Sequence, residues 1–190
     1  SQPDFRIDWA PRTFTYTEDE IAAAVAVLRG TGPLTKGPER KAFEAKFAEY
    51  HGVPAESAVT VTSATSALEL AAMGTGLGPG DEVIVPAHTW CATAIAMGRT
   101  GATLRWADID PDTRVVSAKT IEPLLSERTK AIVVVHLYGL MADMDPILGL
   151  AEARGIKVVE DCAQAIDATY RGRKAGTLGD FGVFSFHAQK

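Results

Sequence analysis

Apolar and polar positions in the first part of the chain follow a helical period. Thr17 and Glu20 have the spacing of a capping box, which predicts a helix that begins there and ends at Gly30. The segment 31–38 contains two turns rich in glycine and proline, so it is predicted to be a loop. A second apolar stripe at helical spacing predicts another helix, which ends at Gly52.

From position 59 onward, short apolar strands alternate with helices. The predicted strands are 59–62, 82–85, 103–106, 131–136, 157–160 and 181–184. The predicted helices are 64–73, 91–99, a short helix capped by Ser117, and 145–154. Apolar strands separated by helices indicate a sheet covered on both faces. We therefore predict an α/β fold, a three-layer sandwich with a mostly parallel central sheet, whose chemistry lies at the carboxyl ends of the strands.

Composition narrows the class of protein. The chain has 190 residues, of which 46% are hydrophobic and 23% charged, and its net charge of -5 argues against nucleic acid or an anionic membrane as a partner. No apolar run is long enough to span a membrane. Two distant cysteines, Cys91 and Cys162, fit a reducing cytoplasm, and no Cys, His and carboxylate set has the spacing of metal ligands, so we predict no metal.

Four predicted strand ends carry polar or reactive residues. Small residues, three of which bear hydroxyls, occupy 63–66 at the start of a helix, where they could cap the helix or bind an anion. Trp90 could be a core residue or a flat platform for a ring. Asp161 could be a helix cap, a solvated acid or a functional carboxylate, and Lys190 alone could simply be solvated. His136 and His187 are interpreted as structural histidines or loop contacts.

Taken together, these strand ends match the needs of pyridoxal 5'-phosphate (PLP). Its phosphate needs an anion site, its ring a flat neighbour, its pyridine nitrogen an anion and its aldehyde a lysine for a Schiff base. The glycines at 74, 76, 78 and 80 follow a helix and precede a strand, so they indicate a turn and not a dinucleotide fingerprint.

The same residues identify a family resemblance. The chain resembles the DegT/DnrJ/StrS group of sugar aminotransferases, which share the aspartate-aminotransferase fold (fold type I). The resemblance covers roughly residues 30–190 and is most specific from Glu160 to Lys190. The irregular N-terminal sequence, with Pro3 and Pro11, predicts an arm at 1–17, which leaves 18–190 as the PLP-binding large domain. Because the chain ends at Lys190 directly after an apolar run, we expect that the large domain is incomplete. Members of the family are roughly twice this long, so the resemblance implies that the small C-terminal domain is not present.

The resemblance also implies roles for particular residues. Lys190 corresponds to the Schiff-base lysine that shuttles the proton, and Asp161 to the residue that pairs with the pyridine nitrogen. Trp90 corresponds to the stacking aromatic, and Gln164 to a contact on the ring-hydroxyl side of the cofactor. The expected phosphate ligands are the backbone N–H of Ala64, together with Thr65 and Ser185.

The implied reaction moves an amino group from glutamate or glutamine to a keto sugar, usually nucleotide-linked in this family, in amino-sugar biosynthesis. Three alternatives remain. The acceptor could be a keto-cyclitol of aminoglycoside-type biosynthesis. The enzyme could deoxygenate sugars, although such relatives carry a histidine where this chain has Lys190. The chain could also be a non-catalytic sensor or binding module of the same fold. The family further implies a homodimer with shared active sites, since a neighbouring subunit usually supplies a phosphate ligand, and the two free cysteines favour a cytoplasmic location.

Overall fold

The computed structural model describes residues 15–33 and 35–187. The arm predicted at 1–17 therefore lies outside the described residues up to position 14, and Lys190 lies outside them as well.

The two N-terminal helices form as predicted. Helix α1 spans Glu18–Arg29, and its capping box is present, since the Glu20 N–H donates to Thr17 Oγ1 (3.3 Å) and the Thr17 N–H donates to Glu20 Oε2 (2.6 Å). Helix α2 spans Pro38–His51 and ends where Gly52 adopts a left-handed conformation with φ of 67°, which glycine adopts without a Cβ clash.

The core is a five-stranded sheet flanked by helices. The elements that build it are α3 (Ala64–Gly74), β1 (Glu82–Pro86), α4 (Cys91–Gly98), β2 (Thr103–Ala107), α5 (Ala118–Ile121), β3 (Thr129–Val135), α6 (Met144–Glu152), β4 (Lys157–Asp161), a small antiparallel hairpin of β5 (Thr169–Tyr170) and β6 (Arg173–Lys174), and β7 (Phe181–Val183). The five strands pair in the order β2-β1-β3-β4-β7, and all four pairings are parallel.

Helices cover both faces of the sheet. Helices α3 and α4 pack against each other and against strands, while α5 packs on α6 and α6 on β4. Strands β1, β3 and β4 are buried along nearly their whole length, as expected for strands covered on two sides. The predicted α/β sandwich is confirmed. None of the helices in the described part of the chain is long and apolar enough to cross a membrane.

The strand predicted at 59–62 does not form. Val59 and Val61 have the alternation of a half-buried strand, but their exposed fractions are 69% and 39%. The N–H of Thr60 donates instead to Glu44 Oε1 on α2 (2.8 Å), and the Thr60 hydroxyl donates to the same oxygen (2.7 Å). A strand requires a backbone ladder, and here the central donor of the segment is taken by a helix side chain.

A glycine-rich turn before β7 presses against the sheet. A Cβ built on Gly182 would lie 2.3 Å from the carbonyl oxygen of Gly176 and 2.6 Å from its Cα. A Cβ on Gly179 would lie 2.7 Å from the carbonyl oxygen of Val158 on β4. The turn at 176–179 therefore approaches β4 and β7 backbone to backbone, which only glycine permits.

Gly182→Ala tests this close approach. The added methyl group meets backbone atoms that cannot rotate away, so we expect a loss of about 2–3 kcal/mol in the free energy of unfolding. Gly149→Ala is the matched control, because Gly149 lies in α6 and a Cβ added there would meet no heavy atom within 4 Å; that change should stabilise by about 0.5–1 kcal/mol. Urea unfolding followed by circular dichroism measures both, and wild-type stability of Gly182→Ala would contradict the packing described.

Candidate active site

A large cavity lies at the carboxyl edge of the sheet. Its volume is about 1060 Å³. The side chains with candidate chemistry on its wall are Ala64, Thr65, Trp90, Thr93, Asp161 and Ser185. We call it the strand-end cavity. It brings together five of the seven residues to which the sequence assigned a role, drawn from α3, the start of α4, β4 and the segment after β7.

Asp161 is the buried carboxylate of this cavity. It is the last residue of β4 and is 4% exposed. Thr93 Oγ1, on α4, donates to Asp161 Oδ2 (2.8 Å), and the Ala163 N–H donates to Oδ1 (3.1 Å). Thr89 Oγ1 lies 2.9 Å from Thr93 Oγ1. Because the single proton of Thr93 is directed at the carboxylate, Thr89 is the donor in that second bond.

The first turn of α3 forms one wall of the cavity. Ser63 caps the helix by accepting the Ser66 N–H at its Oγ (3.1 Å), so the capping interpretation of this segment is confirmed. Capping does not exclude anion binding. The first N–H groups of a helix have no intrahelical acceptor, and the helix dipole adds a partial positive charge at the same place. Ala64 and Thr65 occupy this turn and line the cavity.

Trp90 is a surface residue and not a core residue. Its exposed fraction is 69%, and it precedes the first turn of α4 while lining the strand-end cavity. An indole held at the rim of a cavity presents a flat apolar face to whatever occupies it. The alternative that Trp90 belongs to the core is therefore wrong.

The segment after β7 brings Ser185 into the cavity wall. Ser185 is partly buried and its Oγ accepts the N–H of His187 (3.3 Å), which also lines the cavity. Strand β7 pairs with β4 so that Val183 lies opposite Asp161. Val183 and Asp161 both line the cavity, and Ser185 lies two residues after the end of β7.

Gln164 is not part of the cavity wall. Its Oε1 accepts the backbone N–H of Tyr138 (3.2 Å), in the turn that follows β3. Tyr138 has a left-handed backbone with φ of 58° and a side chain that is 69% exposed. A non-glycine residue in this conformation is costly unless its surroundings hold it there, and the bond to Gln164 is one such restraint.

Two buried acids in sequence end β4, and sequence reasoning gave a role only to the second. Glu160 is 0% exposed and accepts a hydrogen bond from His136 Nε2 (3.0 Å). Burial by itself would raise the pKa of the Glu160 carboxyl. The hydrogen bonds from His136 and from the backbone of Gly179 and Leu178 outweigh burial, so this pKa falls below its ordinary value. The interpretation of His136 as a satisfied structural histidine is confirmed.

Of the two thiols, Cys162 is buried and Cys91 is exposed, and neither forms a disulfide. Burial raises the pKa of the Cys162 thiol well above its ordinary value, and the neighbouring Glu160 and Asp161 charges raise it further. A thiol that remains protonated is a poor nucleophile and a poor metal ligand. Cys162 therefore adds packing and not reactivity to the site.

Known proteins resemble this chain closely. It is 45% identical over 177 residues to the L-glutamine:2-deoxy-scyllo-inosose aminotransferase of Streptomyces fradiae, a match that covers 90% of the chain and 41% of the relative. It is 49% identical over 148 residues to the GDP-perosamine synthase of Caulobacter vibrioides, a match that covers 78% of the chain and 39% of the relative. The chain thus spans about two-fifths of the length of these curated relatives.

Solved structures of aminotransferases also resemble this chain. An aminotransferase from Streptoalloteichus hindustanus superposes with a TM-score of 0.87 at 42% identity, over 92% of this chain and 47% of that one. A protein from Streptococcus pneumoniae assigned as a sugar aminotransferase, solved in a PLP-form, superposes with a TM-score of 0.82 at 35% identity, over 93% of this chain and 48% of that one. The model of one family matches residues 15–190. The chain belongs to the DegT/DnrJ/EryC1/StrS aminotransferase family.

Proposed function

We propose that this chain carries the cofactor-binding half of a PLP-dependent aminotransferase that transfers an amino group from glutamate or glutamine to a keto sugar. The observation that carries the proposal is the buried Asp161 carboxylate, held by Thr93 and Ala163 in a cavity that also contains Trp90. An acid buried at a strand end and aimed into a cavity is typical of a functional site. Membership of an aminotransferase family gives that acid a specific task.

The residues of the strand-end cavity fit PLP. The first turn of α3, with Ala64 and Thr65, supplies N–H donors and a positive dipole end for the phosphate. Ser185 adds a hydroxyl, and Trp90 offers an exposed indole face for the ring. Asp161 supplies the anion that keeps the pyridine nitrogen protonated. When bound, PLP supplies an aldehyde that condenses with amines and a ring that accepts electrons from the substrate carbon.

Thr93 contributes by fixing the Asp161 carboxylate. Its donated hydrogen bond sets the direction of the carboxylate, and Thr89 in turn orients Thr93. A fixed charge in a site with little water acts more strongly than one that must reorient. The effect is to hold the proton at the ring nitrogen throughout the reaction.

Lys190 is the proposed attachment point and proton carrier. It is seven residues beyond the last residue of β7, Val183, on the segment that brings Ser185 into the cavity wall. As a free amine it would take the proton from the α-carbon of the amino donor and deliver it to the aldehyde carbon of the cofactor. Gln164 is proposed to contact the ring-hydroxyl side of the cofactor.

The acceptor is proposed to be a nucleotide-linked keto sugar. GDP-perosamine synthase, at 49% identity, supports this choice, as does the dTDP-3-amino-3,4,6-trideoxy-alpha-D-glucose transaminase of Streptomyces venezuelae, at 43% identity over 171 residues. A keto-cyclitol is the second candidate, because the Streptomyces fradiae relative at 45% identity is named for L-glutamine and 2-deoxy-scyllo-inosose. A panel of both acceptor classes with both amino donors separates them.

The proposal also covers the oligomeric state of the protein and its location in the cell. We infer a homodimer whose active sites draw a phosphate ligand from the neighbouring subunit, and a cytoplasmic location, which the two free cysteines favour. Light scattering of the full-length protein tests the dimer. Two inactive variants can be mixed, one altered at Lys190 and the other at the phosphate ligand that the neighbouring subunit supplies. If active sites are shared, mixed dimers contain one intact site and regain activity.

Lys190→Ala tests the central assignment. Without the amine, the absorbance band of the lysine-bound cofactor should disappear, and turnover should fall by about 10²–10⁴-fold or more because proton transfer is lost. Lys130→Ala is the control, since Lys130 lies at the opposite end of the sheet beside Asp81 (3.9 Å). Wild-type turnover by Lys190→Ala would refute the assignment. A protein that binds PLP but never loses its colour with glutamate or glutamine would favour a binding module.

Thr93→Val and Thr93→Ser test the support of Asp161. Valine replaces the hydroxyl by a methyl group and leaves the buried carboxylate without its side-chain donor, whereas serine keeps the donor. We expect valine to cost about 1.5–3 kcal/mol in the unfolding free energy of the cofactor-free protein, the range for hydrogen bonds to charged groups. Serine should cost less. Urea unfolding measures both, and a smaller loss for valine than for serine would show that the methyl group of Thr93 matters more than its hydroxyl.

A further inference from the structure

The side chain of Glu160 is saturated with hydrogen bonds. Oε1 accepts the N–H groups of Leu178 (2.7 Å) and Gly179 (2.7 Å), while Oε2 accepts the Gly176 N–H (3.1 Å) and His136 Nε2 (3.0 Å). Three of these four donors are backbone groups of the glycine-rich turn at 176–179. The carboxylate therefore takes the place of a backbone partner for three of the four residues of the turn.

The His136 ring is held in place by hydrogen bonds at both of its nitrogens. The Ala142 N–H donates to His136 Nδ1 (3.3 Å), so Nδ1 is an acceptor and the ring proton lies on Nε2, where it is donated to Glu160. His136 is 0% exposed and its backbone N–H donates to the Asp161 carbonyl oxygen (3.0 Å). Glu160 thereby fixes the turn after β3 as well as the turn before β7.

A metal site is the competing interpretation of this cluster. The ligand atoms of His136, Glu160 and Cys162 lie within 4.8 Å of one another, a closeness that their sequence spacing did not indicate. However, each oxygen of Glu160 already accepts two N–H groups, and Nδ1 of His136 accepts another. The high pKa of the Cys162 thiol also disfavours the thiolate that a metal needs. The cluster is built as an anchor for N–H donors.

Glu160 and Asp161 face opposite sides of the sheet. Successive side chains of a strand alternate, so Asp161 points towards Thr93 on α4, and Glu160 points away from it towards His136 and the turn. Glu160 is absent from the wall of the strand-end cavity. It therefore cannot act on a bound cofactor by contact, and any influence must pass through the backbone that it anchors.

That backbone leads directly into the site. The turn at 176–179 precedes β7, whose residue Gly182 pairs with Glu160 itself. The backbone of Gly176 packs so closely on Gly182 that a Cβ on Gly182 would lie 2.3 Å from the Gly176 carbonyl oxygen, and a Cβ on Gly176 would lie 2.4 Å from the ring of Phe184, the residue that follows β7. A shift of the turn must therefore shift β7, and with β7 the segment that carries Ser185.

We propose that Glu160 is a positioning residue: by anchoring the 176–179 turn and His136, it sets the position of β7 and so delivers Ser185 and Lys190 to the cofactor. The inference rests on the proposed function, because it takes Lys190 and Asp161 to be the residues that hold PLP. It extends that function, because a residue on the face of the sheet remote from the cofactor would then control where the lysine lies.

Glu160→Gln is the test, with Glu82→Gln as its matched control. Glutamine keeps the shape of Glu160 but turns an NH₂ group towards N–H donors, which leaves buried donors unpaired. Glu82 is also buried (1% exposed) and hydrogen-bonded, to Ser126 (2.8 Å) and Arg128 (2.5 Å), but it begins β1 at the opposite edge of the sheet. Both variants lose a buried acid, and only one of them lies next to the turn.

Three readouts are made on the full-length protein. Thermal denaturation of the cofactor-free form measures the general loss of stability. Fluorescence titration gives the dissociation constant for PLP. Borohydride reduction at saturating PLP, followed by peptide mass spectrometry, gives the fraction of Lys190 joined to the cofactor, which reports lysine placement independently of affinity.

We expect Glu160→Gln to weaken PLP binding by about tenfold or more, the effect of leaving one buried donor unpaired, and to lower the fraction of labelled Lys190. Glu82→Gln should bind PLP within about twofold of wild type even if its thermal stability falls as far, since distant sites act independently. Equal labelling in the two variants would overturn the role of Glu160. Absence of label from wild-type Lys190 would instead overturn the proposed function.

A second pair of variants serves if Glu160→Gln does not fold. His136→Gln keeps a donor that can reach the carboxylate, and His136→Leu keeps a similar volume without a donor. We expect labelling of Lys190 to stay near the wild-type level in the first and to fall in the second. Equal labelling in both would mean that the hydrogen bond to Glu160 does not place the lysine, and the proposal would fail.

Discussion

The structure depends on the compensation of a buried charge at the end of strand β4. Removing a carboxylate from water is costly, and an ionised group persists in a protein interior only when donors replace the lost hydration. Glu160 obtains four N–H donors, and three of them come from a single turn. The turn has little freedom to rearrange, because any rearrangement would leave the charge unpaired. A single buried acid thus fixes the approach to β7 more firmly than apolar contacts at a flexible turn could.

The same strand end illustrates how alternation separates two roles. Glu160 and Asp161 are consecutive, yet they meet different surroundings because side chains of a strand point to opposite faces. One face offers backbone N–H groups and a histidine, and the other offers α4 with Thr93 and an open cavity. Two carboxylates at adjacent positions therefore have different roles: one stabilises the fold on one face of the sheet, and the other lines a binding site on the opposite face. A shift of one residue in the register of β4 would exchange the two.

Much of the fold was predictable because its signals are local. The capping box of Thr17, the left-handed Gly52 and the apolar strands each follow from a few neighbouring residues. The strand predicted at 59–62 failed for a nonlocal reason: its donor at Thr60 is taken by Glu44, sixteen positions earlier in the chain. Alternating valines show that a segment can be extended, but they do not show that a neighbouring strand is available to pair with it. In the candidate site, too, local signals were predictable from the sequence and nonlocal contacts were not. Types of residue at strand ends identified Asp161, Trp90 and the start of α3, since parallel strands bring their carboxyl ends to one edge whatever the details. Thr93 was missed because its role arises from a hydrogen bond across 68 positions, although its place one turn into a helix after a strand end could have indicated it. Glu160 was missed as well, and here a signal existed. An acid inside a buried strand needs donors, and the glycines at 176, 179 and 182 offer backbone N–H groups without side chains in the way.

Gln164 shows how a residue can serve the turn after β3 and still be available to a cofactor. Its Oε1 accepts the Tyr138 N–H, which helps to hold the left-handed backbone of that residue. A side-chain amide has one acceptor oxygen with two lone pairs and two N–H donors, so one bond uses only a quarter of its capacity. The bond to Tyr138 fixes the plane of the amide and therefore the direction of its remaining donors. A contact from Gln164 to the ring-hydroxyl side of PLP would then be oriented in advance by the turn after β3, the same turn that Glu160 restrains through His136.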